Sequence, residues 1–166
     1  QDHMEAQALY EMLEHDVEWP SLVFFIMLFI IVGAADETGI LQFVANWLKD
    51  VSSGNLVLAI LLILWTSAIL SAIVDNIPFT ATMLPVVALL SKSIPGAETG
   101  ILWWALALGA CFGGNGKIIG ASANVITTGI AEKAGHKITF GQFVKEAAPI
   151  TLISLAISSV YLLLRY

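Results

Sequence analysis

The chain alternates between long apolar runs and short polar interruptions, and this pattern predicts its elements. Three runs have the length and apolarity of membrane helices: residues 20–35, 56–74 and 150–164. Two other segments, 40–51 and 138–148, place apolar residues at helical spacing opposite polar ones, which predicts amphipathic helices lying along the membrane surface. Pro149 is expected to start the last span.

A first polar break, Asp-Asn-Ile-Pro at 75–78, interrupts the apolar run that begins at Leu56. Pro78 lacks a backbone donor and disfavours a helical Ile77. The arm that follows, 79–90, corresponds to only about 18 Å of helix, too short for the hydrocarbon core. The pattern predicts a re-entrant hairpin whose tip ends inside the protein, with two ordinary crossings joined at the membrane surface as the alternative.

A second polar break lies at 113–124, between the apolar runs 101–112 and 125–131. Neither run spans a membrane alone, so together they predict one discontinuous crossing that faces the hairpin tip. Four glycines are expected to let the backbone approach a ligand closely and to adopt positive φ: Gly113, Gly114, Gly116 and Gly120. Alternatively, Gly116 and Gly120 form a Gly-x-x-x-Gly helix-packing pair.

Composition places this pattern in a membrane. The hydrophobic fraction is 58%, the charged fraction 12% and the mean hydropathy +0.86. Residues 1–18 read as a polar surface or linker segment, and 19–166 as a membrane transport domain. The net charge of -6 argues against nucleic acid and comes largely from this segment: Asp2, Glu5, Glu11, Glu14, Asp16 and Glu18. Three lysines in the loop 132–145 favour a cytoplasmic position for it.

The chemistry expected at the breaks is ion or anion binding, because a broken helix frees N–H groups at one end and C=O groups at the other. The candidate ligands are Asp75, Asn76, Thr80, Thr82, Asn115, Gly116, Lys117, Ser122 and Asn124. They suit Na⁺, a proton on Asp75, or a substrate that carries hydroxyls or carboxylates. Each also has a structural interpretation, since threonines bond to their own helix and asparagines cap helices.

Three other residue types have simpler interpretations. No cofactor and no metal beyond Na⁺ is expected, because the histidines lack ligand spacing: His3, His15 and His136. Cys111 is expected to be a small buried hydrophobe. Lys117 has several possible roles: it pairs with Asp75, replaces a bound Na⁺, attracts an anion, or extends to water.

The paired motifs resemble the ion transporter superfamily, most closely the arsenical pump membrane protein and melanosomal P protein group. They are DNIPFTATMLP at 75–85, GGNG at 113–116 and GASANV at 120–125. The resemblance implies two inverted repeats, each with a re-entrant hairpin and an unwound helix, and an elevator-type movement. Asn76, Thr80 and Thr82 would line the tip, and Asn115, Ser122 and Asn124 the unwound loop. Lys117 departs from the pattern, which often has a small polar residue there.

The motif order resembles the C-terminal repeat, so a second half is expected elsewhere, and Gln1 in place of an initiator Met suggests a piece of a longer protein. The resulting hypothesis is an all-α integral membrane permease or antiporter, a homodimer in a bacterial or archaeal inner membrane. It would move a small ion or anion coupled to H⁺ or Na⁺, and it is not an enzyme. The alternatives are a non-transporting scaffold subunit and a half-size transporter that pairs with an antiparallel copy.

Overall fold

The computed structural model describes residues 19–165, and every regular element in that range is helical. The helices are α1 Trp19–Glu37, α2 Ile40–Val51, α3 Leu56–Ser71, α4 Asn76–Ser93, α5 Ile101–Gly114, α6 Ser122–Lys133 and α7 Phe140–Arg165. Short 3-10 turns at Ala97–Thr99 and Ile118–Gly120 precede α5 and α6. The all-helical prediction is confirmed, whereas the predicted linker at 1–18 lies outside the described residues.

Helices α3 and α5 form the centre of the fold. A Cβ atom on Gly109 would overlap the carbonyl oxygen of Leu64, and one on Gly113 would overlap the backbone of Ala68. The contacts advance in the same direction along both helices, so α3 and α5 run parallel. Gly109 and Gly113 are thus a Gly-x-x-x-Gly pair that lets two backbones touch, a signal that the sequence analysis missed.

Two predictions for the glycines of the second break are wrong. Gly116 lies in the turn after α5 and Gly120 in a 3-10 turn, so they share no helix and the predicted packing pair is wrong. Positive φ is also wrong for them, because the described glycines with positive φ are Gly39, Gly54, Gly96, Gly100 and Gly135. Instead, a Cβ on Gly114 would lie 2.8 Å from the carbonyl oxygen of Gly120. These glycines let the backbone of the break contact itself.

Helix α4 is longer than predicted, since it begins at Asn76 and includes Ile77 and Pro78. The expectation of a twelve-residue arm with a non-helical Ile77 is wrong. The first turn of a helix has no intrahelical acceptor for its N–H groups, so Pro78 loses nothing there. Helix α4 packs mainly against α5 and α2 and only slightly against α3. The two arms are therefore splayed, and the re-entrant path remains a prediction.

The predicted surface segment 138–148 and the predicted last span are one helix, α7, which contains Pro149. The prediction that Pro149 begins the helix of the last span is wrong, because α7 begins at Phe140. The start of α7 is instead fixed by a capping box at Thr139 and Gln142. The Thr139 hydroxyl accepts from the Gln142 N–H at 3.3 Å, and Gln142 Oε1 accepts from the Thr139 N–H at 3.0 Å.

Only some helices are both long and apolar enough to cross a membrane. Within the described range α7 meets the requirement by itself. Leu22–Glu37 and α2 meet it only together, as a pair bent by 68°. Helices α3 and α5 are apolar but shorter. The amphipathic prediction for α2 is confirmed in part: Leu41 and Leu48 are buried against the bundle, while Phe43 is 71% exposed. Its apolar surface therefore faces both the core and the surroundings.

Candidate functional site: two helix breaks that meet

The first break, between α3 and α4, is organised by Asp75. Its Oδ1 accepts a hydrogen bond from the N–H of Ile77 at 3.0 Å, so the carboxylate caps the N-terminus of α4. Just before the break, the Ser71 hydroxyl donates to the carbonyl oxygen of Ala110 at 2.7 Å. That buried bond ties the end of α3 to α5.

The second break, between α5 and α6, is held by Asn124. Its Nδ2 donates to the carbonyl oxygens of Gly114 and Lys117, both at 3.0 Å. One side chain thus joins carbonyl groups on either side of the turn, although the Lys117 carbonyl also accepts from the N–H of Gly120 at 3.2 Å. Because both amide hydrogens are used by the protein, Asn124 positions the loop rather than offering donors to a ligand.

The two breaks meet at a single side-chain bond. Ser122, the first residue of α6, donates its hydroxyl to Oδ2 of Asp75 at 3.0 Å. The carboxylate of Asp75 therefore lies where the N-termini of α4 and α6 converge, each with a partial positive charge. The predicted approach of the two breaks is confirmed at this contact.

The remaining candidate residues divide into two groups. Asn76 and Thr80 line a cleft of about 380 Å³ whose other wall includes Cys111.

Cys111 is exposed, so its interpretation as a buried hydrophobe is wrong. The exposure arises because Cys111 lies on the side of α5 turned away from the Gly109 and Gly113 contact with α3.

The other group lies away from the carboxylate. The Thr82 hydroxyl donates to the carbonyl oxygen of Pro78 in the same helix at 2.9 Å. This agrees with the structural alternative, in which the threonine bonds to its own helix. Asn115 is exposed in the turn after α5. Gly116 and Lys117 line an apolar cleft of about 240 Å³ between α3 and α7.

Lys117 does not pair with Asp75 in the structure. An ion pair does form between Lys137 and Glu132, at 3.7 Å. Lys117 instead lines the apolar cleft together with Ala148 and Thr151 of α7. Within the described range there is also no cluster of three or more His, Cys, Asp or Glu side chains suited to a metal ion.

Replacing Asn124 tests its role as a positioning residue. Asn124→Asp keeps the size but turns the donating nitrogen into an oxygen that faces two carbonyl oxygens. We expect a loss of about 2 kcal/mol in the free energy of unfolding, since two hydrogen bonds are lost and a repulsion is added. Thermal melting of the purified protein measures it. Thr127→Val, which removes an exposed bond to Ala123 on the same helix, should change melting far less, and equal melting of both variants would contradict the assignment.

Two apposed polar breaks at helix N-termini, in a largely apolar helical chain, are typical of a membrane transport protein. The sequence profile of the CitMHS family, described as citrate transporter, matches residues 8–109, more than half of the chain. The chain therefore belongs to the CitMHS citrate transporter family. The family confirms the predicted transporter class, the integral membrane character and the expectation that the chain is not an enzyme.

Similar proteins extend the match past both breaks. An uncharacterized transporter of Mycobacterium bovis is 49% identical over 151 residues, which covers 90% of the chain and 35% of that protein. The P protein of Mus musculus is 43% identical over 166 residues, which covers 95% of the chain and 20% of that protein. The chain thus spans about a third or less of the length of these relatives. No solved structure matches it significantly.

Proposed function

We propose that the chain forms one repeat of a secondary transporter that moves a small anion coupled to H⁺ or Na⁺. The observation that carries this proposal is the bond between Ser122 and Asp75 at the convergence of two helix N-termini. Helix N-termini favour anions, and a carboxylate among them offers a site for a proton or a cation. One junction therefore contains the groups that both the driving ion and the substrate require.

The depth of the junction supports transport. Helix α7 is uncharged from Ala147 to Leu164, a length of about 27 Å, which nearly matches the hydrocarbon core. Gly116, in the second break, lies beside Thr151 of α7. Thr151 lies four residues, about 6 Å, inside the uncharged stretch, which supports a position for the break below the membrane surface.

The lengths of α3 and α5 agree with this depth. They run parallel and in register, with Leu64 at Gly109 and Ala68 at Gly113. Their 16 and 14 residues give about 24 Å and 21 Å, less than the core thickness of about 30 Å. Two parallel helices that start at one surface and stop short of the other would place both breaks at a similar depth. This favours the re-entrant path for α3 and α4.

The substrate class follows from charge. With Asp75 ionised, the carboxylate occupies the position that an anionic substrate would take at the two N-termini. A proton or Na⁺ on Asp75 would cancel that charge and admit an anion, which couples the two species. The family description names citrate, so a carboxylate anion is the first substrate that we propose. By the resemblance, a second repeat completes the site and the movement is of the elevator type.

The proposal predicts gradient-driven uptake by the full-length protein in proteoliposomes. We expect accumulation of a carboxylate anion such as citrate only under an inward Na⁺ or H⁺ gradient, and none when ionophores collapse both. A panel of citrate, succinate, phosphate and chloride separates carboxylate recognition from general anion permeability. Correctly folded protein that takes up no member of the panel under either gradient would contradict the proposal and favour a scaffold role.

A further inference from the structure

We propose that the cleft at the start of α7 binds the headgroup of an anionic phospholipid, with its phosphate beside Lys137 and an acyl chain along Ile150. The cleft has a volume of about 620 Å³. Its lining combines polar side chains, those of Lys137, Gln142 and Glu146, with apolar ones, those of Ile138, Phe143 and Ile150. A phospholipid has the same division between a charged headgroup and a hydrocarbon chain.

The position of the cleft along α7 matches the boundary between headgroups and acyl chains. The 26 residues of α7 span about 39 Å, about 9 Å more than the hydrocarbon core. The uncharged stretch begins at Ala147, so the excess lies at the N-terminal end of the helix. Lys137 and Gln142 precede that boundary and Ile150 follows it, which places the cleft across the interface.

The polar side chains of the cleft can donate hydrogen bonds to a phosphate group. Lys137 is 76% exposed, and its ion pair with Glu132, at 3.7 Å, is long and open to solvent, so it costs little to exchange. Thr139 donates to Gln142 Oε1 through both its N–H and its hydroxyl, at 3.0 and 2.9 Å. The Gln142 amide nitrogen is therefore the group left to donate to a phosphate. The partial positive charge at the N-terminus of α7 adds to this field.

The surrounding charges favour an anionic headgroup over a neutral one. Lys133, Lys137 and Lys145 outnumber Glu132 and Glu146 in this segment, although the chain as a whole carries -6. Glu146 itself lines the cleft, so a singly charged phosphodiester fits better than a headgroup with several phosphates. Anionic lipids attract basic segments with about 1 kcal/mol per lysine near the surface.

The apolar part argues for a lipid rather than a free phosphate. Ile138 and Ile150 line the cleft and are 39% and 66% exposed. Inorganic phosphate would leave both side chains uncovered, whereas an acyl chain buries them and gains their hydrophobic contact.

Native mass spectrometry of the full-length protein tests the proposal directly. Dioleoyl phosphatidylglycerol is titrated into the detergent-solubilised protein, with phosphatidylcholine of the same chains as the neutral reference. We expect tighter binding of phosphatidylglycerol and a loss of about fivefold in its affinity for Lys137→Gln. Glu132→Gln is the matched control, because it breaks the same ion pair but keeps the ammonium, and it should bind at least as tightly as the wild type.

A second variant tests the apolar part. Ala147→Phe fills the cleft without changing any charge, and it should weaken phosphatidylglycerol binding as Lys137→Gln does. If Ala147→Phe fails to fold, the comparison of Lys137→Gln with Glu132→Gln still tests whether the cleft binds the anionic lipid. Equal affinity for the two lipids, wild-type binding by Lys137→Gln, or displacement of the lipid by millimolar inorganic phosphate would overturn the proposal.

Discussion

Asp75→Asn is expected to abolish most gradient-driven uptake while leaving the protein folded. Asparagine caps a helix about as well as aspartate, so the bond to the Ile77 N–H and the start of α4 survive. What disappears is the negative charge at the convergence of α4 and α6. Charged hydrogen-bond partners contribute about 1.5–3 kcal/mol, so the affinity for the coupling ion should fall about ten- to hundredfold.

Measuring both uptake in proteoliposomes and thermal melting distinguishes two roles of Asp75: its negative charge in coupling and its hydrogen bond that caps α4. Asp50→Asn serves as the matched control, since Asp50 is an exposed carboxylate near the end of α2, away from both breaks. Asp75→Ala removes charge and cap together and should also lower the melting temperature. Wild-type uptake by Asp75→Asn would show that Asp75 is a helix cap without a part in coupling.

Gly113→Ala is expected to have the largest effect on stability. The added Cβ would overlap the carbonyl oxygen, the Cα and the carbonyl carbon of Ala68, all of them backbone atoms that cannot rotate away. Helices α3 and α5 must then separate, which also strains the bond from Ser71 to Ala110. Overpacking of this kind costs about 3 kcal/mol, to be measured as the melting shift of the detergent-solubilised protein.

Gly129→Ala is the control for this substitution. Gly129 also lies inside a helix, but a Cβ there would meet no atom within 4 Å. Alanine should leave α6 unchanged or stabilise it by up to about 1 kcal/mol, because glycine is the weaker helix former. If Gly113→Ala and Gly129→Ala melt alike, the backbone contact between α3 and α5 does not hold the fold together.

The class of protein was predictable from residues alone, because burial in lipid restricts composition strongly. Polar groups are costly in an apolar run, so the break at 75–78 and the break at 113–124 stood out without any structure. The same cost explains why both breaks hold residues that satisfy backbone groups. Asp75 and Asn124 do so in the structure.

The helix boundaries around proline were harder to predict. Pro78 and Pro149 were both expected to mark a boundary, yet Pro78 lies in the first turn of α4 and Pro149 inside α7. A proline in a first turn costs nothing, and one inside a long helix is outweighed by the hydrogen bonds around it. The capping box at Thr139 and Gln142 was the sequence signal that would have placed the start of α7 correctly.

Which contacts each candidate residue makes could be read only from the tertiary structure. The sequence by itself determined an apolar helical membrane chain with two polar breaks, because hydropathy and backbone satisfaction are local properties. Only the tertiary structure decided that Ser122 meets Asp75, that Asn124 is used within its own loop, and that Lys117 lies against α7. The relative positions of these residues depend on the parallel register of α3 and α5. That register depends on where the backbones of Gly109 and Gly113 in α5 contact α3.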